Sequence, residues 1–204
     1  MSYTHLCLGV DPGESAGAAL VGEDAQGRWV VAWWAWHLLH RRDGDVWRLR
    51  QPGRDAMELS TPHEVGGLIE RHLRYSPAYE PADVSLCVEG LFARKASAAQ
   101  ILKLGTTKGK LVGPLEELLG PYLEPQAGVW RPKAAGIPAR TPKRQAKRLA
   151  IAYAHTRLGW RCPTPRAHRP RLTSDELSGV CEAAWMASYG LGIKRRQAVV
   201  AGVL

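Results

Sequence analysis

The sequence has no asparagine, a single phenylalanine and little glutamine. Its four cysteines, Cys7, Cys87, Cys162 and Cys181, stand far apart, with no CxxC pair and no zinc-site spacing. Three of them fall in apolar runs, which reads as buried reduced thiols and an intracellular, cytoplasmic setting. No apolar run approaches the roughly 20 residues that cross a bilayer. The N-terminus lacks a basic segment followed by an apolar stretch, so neither a membrane span nor a signal peptide is expected. Missing asparagine beside plentiful proline and arginine fits a thermophilic source or a GC-rich genome, and says little about function. No internal repeat or domain-splitting linker appears.

What the chain does have is positive charge. Lysine and arginine number 28 against 19 acids, a net charge of +9 over 204 residues. A domain this basic commonly meets a polyanion, nucleic acid first among them. An apolar fraction of 45% and a charged fraction of 23% allow an ordinary globular core.

Patterning predicts strands over residues 5–10, 16–22 and 28–38, joined by turn chemistry into an antiparallel meander. The third carries Trp29, Trp33, Trp34 and Trp36 on both alternating faces, so both are expected to be covered. Residues 40–61 are polar and arginine-rich and read as an exposed loop or insertion. A helix over 62–75, a buried strand over 84–88, a glycine-interrupted helix near 97–119 and a brief strand near 121–124 follow. Thr141-Pro142 opens a helix to about residue 158, a proline-rich connector covers 163–170, and Ser174 caps a last helix to about 189. The expectation is one mixed α/β domain over residues 1–190 with a basic tail over 191–204.

Two acids stand out by position. Val10-Asp11 and Val88-Glu89 each end a buried strand on a carboxylate, followed by a glycine-containing loop. Side by side at the edge of one sheet, two such carboxylates would repel one another, and a divalent cation would remove the conflict. The plainer alternative is a pair of turn-capping acids, each bonded to local amides. A third acid, Glu182, lies mid-helix among Cys181, Ala183, Ala184 and Met186, where a solvent role is hard to assign. Asp175, seven residues earlier, shares its face, whereas Glu176 does not and suits the helix N-terminus.

These segments resemble the RuvC-type Holliday junction resolvases of the RNase H-like nuclease superfamily, and the phage versions more than the bacterial one. "GVDPGESAGAALV" is similar to that family's first hairpin, and "VEGLFARKASAAQILKLGTTKGKLVGPL" to its catalytic strand end and following helix. "TPKRQAK" is similar to its lysine-bearing helix start, and "CEAAWMASYG" to its terminal acid-alanine helix. The resemblance implies an RNase H-like five-stranded mixed sheet, ordered 3-2-1-4-5 with the first three strands antiparallel, flanked by helices. It implies a homodimer, acting in a cell or, if phage-encoded, in a host cytoplasm, that nicks opposing strands of a four-way DNA junction to give 5′-phosphate and 3′-hydroxyl ends.

Carried onto this chain, the resemblance makes Asp11, Glu89, Glu182 and Asp175 the ligands of two Mg²⁺ ions, with Mn²⁺ as the alternative. It puts Lys143 near the scissile phosphate and Phe92 against bases at the junction centre. The family's last helix carries two acids spaced by three; here Gly179 stands three before Glu182, which leaves the fourth ligand to Asp175, or to Ser178 orienting a water. Arg94, Lys95, Lys103, Lys108, Lys110, Arg144, Lys147 and Arg148 form basic rows suited to phosphate contacts, with Trp130 and Arg131 placed near the DNA as well. Competing readings are a branched-DNA-binding protein with altered catalysis and a broader flap or branched-DNA endonuclease. An actin-like ATPase would need a second glycine-rich phosphate loop, and no nucleotide cofactor is expected.

Overall fold

The first hairpin sets the frame for everything that follows. In the structure, a computed structural model that describes residues 3–77, 80, 83–90, 97–160 and 172–200, strands β1 (His5–Asp11) and β2 (Ser15–Asp24) pair antiparallel from His5↔Glu23 to Asp11↔Gly17. β3 (Gly27–Leu39) pairs antiparallel with β2, slipping register between Leu20 and Val21. Trp34 and Trp36 enter one core and Trp33 the other, as expected, but Trp29, expected to be covered, stays at the surface.

The chain then departs from expectation. Residues 40–61 are not a bare loop: they contain β4 (Val46–Arg50) and β5 (Met57–Leu59), which extend the sheet beyond β3. Trp47 and Leu49 point inward, while Arg48 faces Glu58 across the β4–β5 pair at 3.0 Å. After α1 (Pro62–Arg74), capped by the Thr61 hydroxyl accepting from the Glu64 N–H, β6 (Val84–Val88) returns parallel to β1. The sheet thus has six strands in the order β5-β4-β3-β2-β1-β6. Its β3-β2-β1-β6 run follows the expected 3-2-1-4 order, but the five-strand count does not hold. The fifth strand expected near 121–124 is reduced to one parallel bridge, Cys87↔Leu123. Pro121 and Pro125 flank it and cannot donate to a ladder.

Helices cover both faces. α1 and α2 (Ala98–Leu119) pack Val65, Ile69, Leu73, Leu111, Val112 and Leu115 on the face carrying Leu8, Val10 and Leu86. The short α3 (Ala127–Trp130) runs into a π-helical turn (Arg131–Ala135). That turn, α4 (Lys143–Arg157) and α5 (Ser174–Val200) close the opposite face. α5 continues well past residue 189, so helix runs through much of the segment expected to be a tail.

α5 lies directly on the backbones of β1 and β2, and glycines make that possible. A Cβ on Gly9 would sit 1.9 Å from the Ala183 carbonyl oxygen, and one on Gly179 would sit 2.4 Å from the Ala16 Cα. The alanines of α5 therefore reach the sheet, and Glu182 is carried with them to the end of β1. Among the described residues, no helix is long and apolar enough to cross a membrane.

Candidate active site

The parallel β1–β6 ladder fixes the two strand-end acids. Val10 is in register with Val88, and the Glu89 N–H donates to the Val10 carbonyl at 3.0 Å. Asp11 and Glu89 consequently leave neighbouring strands at the same edge. Each has a local tether: Asp11 Oδ1 accepts from the Gly13 N–H at 3.1 Å, and Glu89 Oε1 accepts from the Trp130 indole N–H at 3.2 Å. Glu182, buried on α5, completes the group, and its Oε1 accepts from the Arg131 guanidinium.

The electrostatics show that the three carboxylates share one neighbourhood. Loss of hydration, then the charges of Glu89 and Glu182, push the Asp11 carboxyl well above the usual range, against relief from Gly13 and Lys147. Glu89 is raised too, by lost hydration and by Glu182, with Arg131, Trp130 and Lys143 opposing. Like charges held together with Glu182 buried and Asp11 and Glu89 half-buried are costly. Hydrophobic packing of α5 and the β1–β6 ladder hold them there regardless.

The basic residues divide into distinct environments. Lys143 and Lys147 lie one turn apart on α4 and act on Glu89 and Asp11 respectively. Arg144 and Arg148, exposed, line a separate groove with Pro142, Gln145, Leu149 and Ala152. Lys110 is exposed on α2, and Lys103 pairs with Glu14 at 2.7 Å, beside the turn that follows Asp11. Lys108 corrects the expected row: it is buried, paired with Glu124 and packed 5.3 Å from the Tyr122 ring centre, so it is no exposed phosphate contact. Phe92, Arg94 and Lys95 lie outside the described residues.

Asp175 is not brought into the acidic group. It sits on the first turn of α5, 61% exposed, with Oδ1 3.3 Å from Lys147 Nζ. Nor can position 179 supply the missing acid, because the β2 backbone occupies the space of any side chain there. Sequence reasoning placed Trp130 and Arg131 near DNA but missed that they bind the acids directly. The available signal was the acidic cluster itself, which demands donors and a counter-charge from somewhere in a basic chain.

Do these residues fit a divalent ion? Their chemistry does: three carboxylates that repel one another are hard oxygen donors of the kind Mg²⁺ and Mn²⁺ take. Ser178 Oγ, one turn before Glu182 on α5, is buried with no hydrogen-bond partner among the described residues. As the side chains stand, however, no three metal-ligating groups among the described residues are arranged to hold an ion together. Glu182 is turned to Arg131 and Glu89 to Trp130.

Neither the models of known protein families nor the curated proteins match this chain. Solved structures do. Thermus thermophilus RuvC in complex with Holliday junction substrate is 16% identical, with a TM-score of 0.49, over 91% of this chain and 96% of that one. Thermus thermophilus RuvC by itself is 16% identical with a TM-score of 0.42 over the same shares.

Proposed function

We propose that the protein is a divalent-metal-dependent endonuclease that cuts branched DNA, four-way junctions above all. The observation that carries this reading is the convergence of Asp11, Glu89 and Glu182 from β1, β6 and α5 onto one sheet edge, with Lys143 and Lys147 beside them. Asp11 and Glu89 at the strand ends, with Glu182 from α5, would hold the ions, two per site. Bound there, a divalent ion supplies the Lewis-acid charge that phosphodiester hydrolysis needs. Lys143, exposed at the start of α4, holds the scissile phosphate over the acids, and Lys147 balances their charge. Arg144, Arg148 and Lys110 hold the DNA backbone further out, with Phe92, Arg94 and Lys95 as additional contacts. Asp175 sits one residue removed, behind Lys147, and its part is to position that lysine. A second copy of the chain supplies the other nick.

A second reading has its own support. Gly179 stands where an acid is expected, and Glu182 is committed to Arg131, which suits a branched-DNA-binding protein that does not cut.

One experiment separates them. The protein is incubated with a mobile four-way junction in Mg²⁺, Mn²⁺ or EDTA, with duplex competitor present. Paired symmetric nicks that require the metal, lost in Asp11→Asn while junction binding persists, are expected. Tight junction binding without nicks selects the second reading, and no preference for the junction over duplex overturns both.

A further inference from the structure

The acidic site contains a cation of its own. Arg131 opens the π-helical turn, and its guanidinium pairs with buried Glu182 while lying 5.2 Å from the Trp130 ring centre. Its backbone is pinned, since its carbonyl accepts from the Gly136 and Ile137 N–H groups. Trp130, the residue before it, is fully buried and donates to Glu89. Two adjacent residues thus hold two of the three acids, and π-helical turns of this kind recur at functional sites. The hold on Glu182 is incomplete: Arg131 Nε is buried with no hydrogen-bond partner among the described residues, an unsatisfied donor that weakens the clasp.

We infer that Arg131 is the resident counter-ion of the acidic site and that a divalent cation must displace it from Glu182 to load. The inference rests on the metal-dependent reading above and says how that site is controlled. It explains why three acids can be near one another and yet not form a metal-holding group: one of them is already neutralised. The backbone anchor lets the guanidinium withdraw by side-chain rotation alone, without unwinding the turn. A long planar cation released at the rim then matches a phosphate oxygen pair, so DNA and metal favour the same rearrangement.

The test is Mn²⁺ binding to the full chain without DNA, read from the free-ion paramagnetic resonance signal, for wild type, Arg131→Gln and Asp11→Asn. Arg131→Gln is expected to bind Mn²⁺ at least tenfold more tightly than wild type, and its metal-free form to melt at a lower temperature that Mn²⁺ restores. Should Arg131→Gln fail to fold, Arg131→Lys, which keeps charge but loses the planar fork, is expected to bind severalfold more tightly. Affinity equal to or weaker than wild type, with Asp11→Asn still abolishing binding, overturns the counter-ion role and leaves the metal site standing. No binding by wild type or either Arg131 variant overturns the metal site, and the inference with it.

Discussion

Asp11 carries its charge against two neighbouring carboxylates, and that cost has a pH signature. Its carboxyl is raised in the fold by lost hydration and by Glu89 and Glu182. The folded state therefore holds a proton there more tightly than the unfolded chain does, so stability declines as pH rises from the ordinary carboxylate range through Asp11's raised value. In metal-free protein at neutral pH, Asp11→Asn should melt higher than wild type, by about 2–4 °C for each kcal/mol relieved at this chain length. That advantage should shrink as pH falls and Asp11 protonates; calorimetry across pH measures it, and a variant less stable at every pH contradicts the argument. The three acids were legible in the sequence because each breaks its local pattern: a carboxylate ends an apolar strand, or interrupts an alanine-rich helix. Arg131 was not, since nothing local distinguishes it from the chain's other cations; only the position of Glu182 does. Lys108 misled for the same reason, its partner Glu124 lying beyond the end of its helix.

At the scale of elements, spacing told truly wherever apolar periodicity was clean, as in β1, β2, α1 and β6. It failed where charge concealed a strand. In Val46-Trp47-Arg48-Leu49-Arg50 apolar and charged residues alternate from Trp47 on, but the arginines look like loop until their partners are seen: Arg48 faces Glu58, and Arg50 lies 3.4 Å from buried Glu176. The close packing of α5 on the sheet was legible in the small residues around Glu182, but Gly179 read as a missing acid rather than as clearance. Gly179→Ala tests that clearance. Its new Cβ would fall 2.4 Å from the Ala16 Cα and 2.6 Å from the Ala16 carbonyl carbon, and backbone has little room to give. Overpacking of this kind costs about 1–3 kcal/mol. A drop in the urea midpoint with unchanged slope is expected, and Gly179→Asp should be worse still, because it adds a charge to the clash. A wild-type midpoint for Gly179→Ala would mean that the helix can shift.

At the scale of the whole molecule, the described residues set the acidic group beside a row of exposed cations on α4. Each phosphate neutralised contributes about 0.9 to the slope of log affinity against log salt. Single alanine replacements of Lys143, Arg144 and Arg148 should each lower that slope for junction binding by roughly that amount. Lys108→Ala should leave the slope unchanged while lowering resistance to urea, since its buried amine packs against protein. A salt titration by fluorescence anisotropy distinguishes the two classes, and an equal loss of slope for Lys108→Ala would put that residue back among the DNA contacts.

The order of elements has a further consequence for a chain emerging from the ribosome. β1 and β6, with Asp11 and Glu89, are synthesised long before α5, which brings Glu182 and covers the second face of the sheet. Until translation has passed that helix, the nascent polypeptide has an open hydrophobic surface and an acidic group one member short. Assembly of the acidic group is thus coupled to completion of the fold, because the last helix both closes the sheet and delivers the third carboxylate.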